Sequence, residues 1–412
     1  MVSTNDLVVR GKASPWKDKN PIIYCLKELP NGNVHLPCTY MEKVKEYTPV
    51  QFPEMKTTLR PDQQVCLDEL LSKIDKDKAC NCIFGHIYTG FGKSRLFLSL
   101  AIQFNLPVLI ICNSDSVRTG WINECKESLG IDPHIAGKTL GEAPITIVSI
   151  QMCVHHKYGR KQYGYYGVVI VDEADVYCTQ KSIHEIVDLY PRYLLGCSAT
   201  VVREGDGLDK VLDVFWGPRN NWVVRLKEFG KTCSMELHLL YTPYKIDYIY
   251  NVQGKMDWGS MIANSTYIEE RNMFIRNLCI LHQDRKILIL CKTKSHTETL
   301  FQMLKDVGED VSTYYEKMKT YYDAHILIAT ISKAGRGYDD KQISAAFDNR
   351  RFDVLIMTMT MRDSTQALGR TLRGNWLICY LLVDDNPTMK KHAAIMRDSN
   401  EKKGASIIEE YI

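Results

Sequence analysis

Thr89-Gly90-Phe91-Gly92-Lys93-Ser94 is the first stretch of this chain whose residue types and spacing could do chemistry. Gly90 and Gly92 permit a tight turn that residues bearing a Cβ resist. Such a turn at the head of a helix aims free backbone N–H groups at an anion. Lys93 would bring a point charge to the β- and γ-phosphates of a nucleotide, and Ser94 a hydroxyl to Mg2+. The glycine that usually opens a GxxxxGK turn falls on Ile87, so the strict pattern is missed by one residue. A bare Gly-Lys-Ser can also be a structural turn, and the flanking elements decide between the two. Further along, Val168–Asp175 ends an apolar run on Asp172 and Glu173. Asp172 would hold Mg2+ through water, and Glu173 would polarise an attacking water as general base. Taken alone, an Asp-Glu pair is as often a solvated strand end; after the phosphate-type turn it becomes the second half of a nucleotide site. Ser198 and Thr200, in Gly196–Thr200, could bridge Asp172 and Glu173 to a neighbouring domain. In the C-terminal half, residues 366–373 place Arg370 and Arg373 on one helical face. They could clamp the charge on a transferring phosphoryl group, or sit in ordinary surface salt bridges.

Positioning these groups takes buried strands. Short Val- and Ile-rich runs at 81–88, 107–112, 145–150, 167–173 and 192–200 alternate with amphipathic stretches, and a second series follows at 286–293, 325–332, 352–360 and 376–383. Continuous apolar runs mean strands covered on both faces, hence parallel sheets sandwiched by helices. The order repeats in both halves and predicts two doubly wound α/β domains. The chain divides on this reading into a β-rich accessory region (1–55) with a hairpin at Pro30–Asn33, a first α/β domain (56–230), a linker (231–265) and a second α/β domain (266–412). The basic C-terminal stretch 389–404 reads as an exposed helix, and the basic, Tyr-rich stretch 155–166 as a packed connector or a base-stacking surface.

At 412 residues, 45% hydrophobic and 25% charged, the composition is that of a soluble multi-domain globular protein. The net charge is only +3, so a polyanion would be held by a local basic surface rather than by bulk charge. No apolar run reaches the roughly 18–20 residues that cross a bilayer, and the N-terminal residues lack the apolar core of a secretory leader. The fourteen cysteines contain no CxxC pair, which predicts a reducing intracellular compartment and neither disulfides nor a zinc knuckle.

TGFGKS, DEAD, SAT and QALGRTLR, in this order and on these predicted strands, resemble motifs I, II, III and VI of the superfamily 2 helicases and translocases. Leu59–Gln63 is similar to their LRPxQ element, and Gly196–Pro218 to the SATPxRxDGL stretch of one branch. That branch holds XPB-like DNA translocases, phage helicases of the UvsW kind and poxvirus-type transcript-release helicases. Residues 328–340 resemble motif V. Pro-Thr-Arg-Glu-Leu and HRxGRxxR, the marks of DEAD-box RNA helicases, are missing, Gly120 replaces the glutamine expected before Trp121, and Arg336 stands where XPB-like proteins carry an acid.

The resemblance implies two tandem RecA-like domains and an ATP- and Mg2+-dependent enzyme. It passes ATP contacts to Arg60, Gln63 (adenine reading), Thr89, Gly90, Gly92, Lys93, Ser94, Gly337 and Asp339. Ser94 and Asp172 become the metal residues; Glu173, Gln366, Arg370 and Arg373 the catalytic ones; Ser198, Thr200, Arg203 and Asp206 the coupling ones. Ser114, Thr293, Lys294, Thr330 and Lys333, at predicted strand ends, are candidate nucleic-acid contacts. The leading expectation is a monomeric 3′-to-5′ DNA translocase or helicase, with transcription or replication machinery as further partners and no membrane. An RNA helicase or RNA-polymerase-associated remodeller is the second reading, and a non-catalytic scaffold the third.

Overall fold

The computed structural model describes residues 4–12, 21–202, 206–226, 234–254, 256–334, 343–345, 347–348, 350–361 and 376–412. The chain forms two compact units, Met1–Leu226 and Lys227–Ile412. The first begins with two small antiparallel pairs. Strand β1 (Val8–Arg10) pairs with β2 (Ile22–Tyr24), and β3 (Lys27–Glu28) with β4 (Val34–His35) across the turn at Pro30–Asn33. Helix α1 (Pro61–Ser72) precedes the main sheet. Its strands are β5 (Asn81–Ile87), β6 (Val108–Cys112), β7 (His134–Ile135), β8 (Ile145–Ser149), β9 (Val168–Asp172), β10 (Tyr193–Ser198) and β11 (Val223–Arg225). They lie in the order β11-β5-β10-β9-β6-β8-β7, every pair parallel.

Why the strand runs are continuously apolar is visible in β9. Val168 and Ile170 point into a cluster with Leu96, Phe97 and Trp121, while Val169 and Val171 point into the opposite one, with Tyr166, Ile183 and Phe215. Side chains alternate across a strand, so a sheet covered on both faces needs an apolar residue at each position. Because only β10 separates β5 from β9, the turn after β5 and the acids at the end of β9 emerge on either side of β10 at the carboxyl edge, where open α/β sheets bind ligands.

The second unit repeats the plan. Its main strands are β12 (Ser234–Lys245), β13 (Ile287–Cys291), β14 (Val311–Tyr314), β16 (Ile326–Thr330), β18 (Val354–Met357), β19 (Trp376–Asp385) and β20 (Ser406–Tyr411), with a small pair formed by β15 (Tyr321–Tyr322) and β17 (Ser344–Ala345). The order is β14-β16-β13-β18-β19-β12-β20, again all parallel.

Two expectations are corrected here. The stretch 231–265 is not a linker: it holds β12, whose Leu237 and Leu239 face one core cluster and whose Leu240 faces the other, and the helix Trp258–Ser265. The C-terminal basic segment forms the helix Pro387–Glu401, but Met389, Ala393 and Met396 are buried, so only one face of it is exposed. Tyr158, Tyr163 and Tyr166 are buried as well, which makes 155–166 a packed connector. Among the described residues no helix is long and apolar enough to cross a membrane.

Candidate nucleotide site

The turn between β5 and helix α2 (Lys93–Ile102) is built on two left-handed glycines, Gly90 at φ +96° and Gly92 at φ +88°. Gly92 is doubly required. Its φ disfavours any side chain, and a Cβ there would stand 2.4 Å from Nε2 of Gln63. Gln63, buried at the start of α1, donates from Nε2 to the Phe91 carbonyl at 2.7 Å, and the Arg60 guanidinium donates to the same oxygen at 2.8 Å. The Gln63 carbonyl in turn accepts the Arg60 backbone N–H at 3.0 Å. The LRPxQ element thus braces the turn from behind. This loop-holding role of Arg60 and Gln63 adds to the adenine contact that resemblance assigns to Gln63, since these two bonds leave one amide N–H over.

Lys93 opens α2 and reaches the acidic tip of β9, with Nζ 3.9 Å from Oε1 of Glu173. Asp172 and Glu173 are 6% and 5% exposed, so two carboxylates share one lysine almost out of water. Burial, and then the neighbouring Glu173 charge, pushes the Asp172 carboxyl above its ordinary range, against the pull of Lys93 and of two hydrogen bonds. Those bonds come from Trp121 Nε1 at 2.9 Å and the Cys197 thiol at 3.2 Å. Trp121, fully buried on helix α3 (Asp115–Leu129), therefore aims the carboxylate while packing beneath it. Glu173 sits in the left-handed region at φ +52°, which turns the chain sharply after the strand. Nearby, Thr89 Oγ1 is buried with no hydrogen-bond partner among the described residues. An orphaned hydroxyl beside anion-seeking N–H groups, and oxygen donors from Ser94 and Asp172, fit a hard cation held with a triphosphate.

Ser198 and Thr200 behave differently from expectation. Instead of bridging Asp172 and Glu173, they hold Asp175: Ser198 Oγ donates at 2.5 Å and Thr200 Oγ1 at 2.9 Å. Asp172 is taken instead by Trp121 and Cys197. Asp206 caps the Leu208 N–H at 3.1 Å and takes the Lys12 N–H on its backbone carbonyl at 2.7 Å, which ties the accessory region to the segment after β10. Arg203, Gly337, Asp339, Gln366, Arg370 and Arg373 lie outside the described residues.

The candidate strand contacts occupy carboxyl ends of strands in both units. Ser114 and Thr293 cap helices, accepting the Val117 and His296 N–H groups at 3.4 and 3.2 Å. Thr330 ends β16 directly beside Cys291 of β13, which brings it close to Thr293 and Lys294. Lys294 pairs with Glu316 at 3.6 Å, and Lys333 lies over the Tyr314 ring at 5.1 Å. Sequence reasoning missed Cys197 and Asp175; Trp121 was visible only as one letter of a motif.

The type III restriction enzyme res-subunit family model matches residues 56–203, the span from the bracing element to the Asp175 clasp. The protein named "Putative helicase 161L" of Invertebrate iridescent virus 6 is 26% identical over 450 residues, covering 98% of this chain and 96% of that protein. These likenesses support a superfamily 2 helicase. A further relative of the helicase is "Putative ATP-dependent RNA helicase L396" of Acanthamoeba polyphaga mimivirus, 24% identical over 90% of this chain and 73% of that protein. Among solved structures, S. cerevisiae Dbp5 bound to RNA and ADP BeF3 matches with a TM-score of 0.56 at 15% identity, over 84% of this chain and 89% of that one. At that identity the likeness speaks to fold, and it makes the two sheets tandem RecA-like domains. The helicase is an ATP-dependent enzyme, and its family uses nucleotide.

Proposed function

We propose that this helicase couples ATP hydrolysis to movement along nucleic acid, DNA in preference to RNA, in the 3′-to-5′ sense. The observation that carries the reading is half-buried Lys93 set against buried Asp172 and Glu173 beside the Gly92 turn. ATP phosphates would take the turn's N–H groups and the Lys93 ammonium. Ser94 and Asp172 would hold Mg2+, which supplies positive charge against the phosphates when bound. Glu173 would accept the proton of the attacking water. Gln366, Arg370 and Arg373 would complete the site from the second unit, so hydrolysis needs closure of the two units. Gly337 and Asp339 would add contacts to nucleotide and strand, and Arg203 and Asp206 would help relay closure. The Asp175 clasp of Ser198 and Thr200 would carry the state of the acidic tip into the rest of the first unit. Contacts to the strand through Ser114, Thr293, Lys294, Thr330 and Lys333 would be mainly to phosphate, hence salt-dependent and nearly sequence-blind.

The preference for DNA rests on the resemblance to XPB-like and UvsW-like translocases. The names of the mimivirus relative and of the Dbp5 structure favour RNA as the second reading. We place the enzyme as a monomer in a reducing compartment, a placement supported by the free thiols of the described cysteines, with transcription or replication machinery as its setting. ATPase rates compared across single- and double-stranded DNA and RNA at one salt concentration test the reading. Greater stimulation by DNA is expected. Stimulation by RNA alone would select the second reading, and no ATPase above a Lys93→Ala background with any polynucleotide would select the scaffold.

A further inference from the structure

The scattered cysteine spacing predicts no metal site, yet three thiols meet in one corner of the first unit. Cys38 sits in the single turn Cys38–Tyr40 that follows the accessory hairpin; Cys80 precedes β5, and Cys82 is its second residue. The Cys82 sulfur lies 3.6 Å from that of Cys80 and 3.8 Å from that of Cys38, and all three lie within 4.8 Å of one another. Residues two apart on extended chain point to one face, so Cys-x-Cys entering a strand presents two thiols together, as CxxC does in a turn. Cys38, distant in sequence, is delivered by tertiary packing.

The spacing has a specific meaning. With a zinc–sulfur bond of about 2.3 Å, the edge of a tetrahedral zinc–thiolate site is about 3.8 Å. A disulfide would need the sulfurs at about 2.0 Å. Among the described residues this is the one group of three or more His, Cys, Asp or Glu side chains whose ligand atoms could share an ion. A second observation is independent of the sulfurs. Arg160, whose charge acts on Cys38, has a buried Nε with no hydrogen-bond partner among the described residues, while its Nη2 donates to the Leu36 carbonyl at 3.2 Å. Three thiolates around a divalent ion carry one net negative charge, which is costly to bury unless a cation stands beside it. Arg160 is that cation.

We propose that Cys38, Cys80 and Cys82 bind one thiophilic divalent ion, zinc, with the fourth tetrahedral position left to solvent. The ion ties the accessory segment to the strand that leads into the phosphate turn. It stands apart from Asp172 and Ser94, and its function does not depend on which nucleic acid the enzyme follows.

The test uses the full chain, purified under reducing conditions, loaded with zinc, desalted and measured by elemental mass spectrometry. About one zinc per chain is expected, falling by about tenfold or more in Cys38→Ser and in Cys80→Ser. Cys25→Ser, which removes another buried thiol of the same core cluster, should keep it. Should the serine variants fold poorly, the wild-type chain loaded with cobalt reports directly. A sulfur-to-cobalt charge-transfer band that is lost on zinc addition supports the site. Wild-type protein that takes up neither zinc nor cobalt, or whose intact mass shows these cysteines oxidised in pairs, overturns it.

Discussion

The carboxyl edges of the two sheets handle buried charge in opposite ways. In the second unit, Arg271 is fully buried and closes on Asp384 with three hydrogen bonds of 2.9 to 3.1 Å, while a guanidinium N–H also reaches the Thr358 carbonyl and Thr242 donates to Asp384 at 2.9 Å. At the opposite, amino edge of that sheet Lys286, 4% exposed, is likewise neutralised by Asp323 at 2.8 Å and Asp348 at 3.0 Å. Charge there is matched, and it locks helix to sheet. At the carboxyl edge of the first unit, Asp172 and Glu173 are buried side by side with Lys93 Nζ 3.9 Å from Glu173, and burial with mutual repulsion raises the Asp172 pKa. Among the described residues, one copy of the fold thus spends its buried ions on cohesion, and the other buries two adjacent carboxylates beside a phosphate-type turn. Adjacent buried carboxylates that repel one another favour an incoming positive charge, which is why the first edge reads as a binding site and the second as a joint.

The contrast can be broken at either end. Lys93→Ala should lower polynucleotide-stimulated ATPase by about 10²–10³-fold, in line with loss of one preorganised charge at a transferring phosphoryl group. A wild-type rate would remove the first edge from the reaction. Arg271→Ala should cost about 3–5 kcal/mol in chemical denaturation, because Asp384 is left buried and alone. The paired swap Arg271→Met with Asp384→Leu should recover most of that loss. If the single and double variants are equally unstable, the pair packs by shape rather than by charge.

Trp121→Phe sharpens the first edge, removing the N–H that aims Asp172 while keeping most of the packing. The Mg2+ concentration for half-maximal ATPase should rise about tenfold. An unchanged Mg2+ dependence would reduce Trp121 to a core residue.

A pH effect belongs to His296, buried in the second unit with Nε2 on Asn272 Oδ1 at 2.9 Å. Desolvation, and then the Arg271 charge, lowers its pKa to about 3. The unfolded chain binds a proton below about pH 6.5 that the folded chain refuses, so stability falls as pH drops through that window. At pH 5 the loss is about 2 kcal/mol relative to pH 7.5, at about 1.4 kcal/mol per pH unit below 6.5. His296→Gln should flatten this slope in urea titrations, and an identical slope in both chains would contradict it.

Much of this was legible in the sequence because the relevant signals are local. Buried parallel strands announce themselves as apolar runs, and a phosphate turn is a contiguous string, so β5, β9, Lys93, Asp172 and Glu173 follow from spacing alone. What was hidden depends on tertiary approach. Cys197 looks like any small core residue until its thiol is seen to donate to Asp172. Ser198 and Thr200 could have served any nearby acid, and only the path of the chain after β9 gives them Asp175. The strand β12 escaped notice because its alternating Met-Glu-Leu-His-Leu pattern is a half-polar one, unlike the solid runs around it. The thiol corner needed residues 38 and 82 brought together by the accessory region.

Glu173→Gln offers the most direct measurement. The variant should bind a fluorescent ATP analogue within about threefold of wild type while its saturated turnover falls by about 10²–10⁴-fold, the range for loss of a general base. Turnover that survives the substitution, or binding that fails along with it, would contradict a catalytic role for the acid tip of the first sheet.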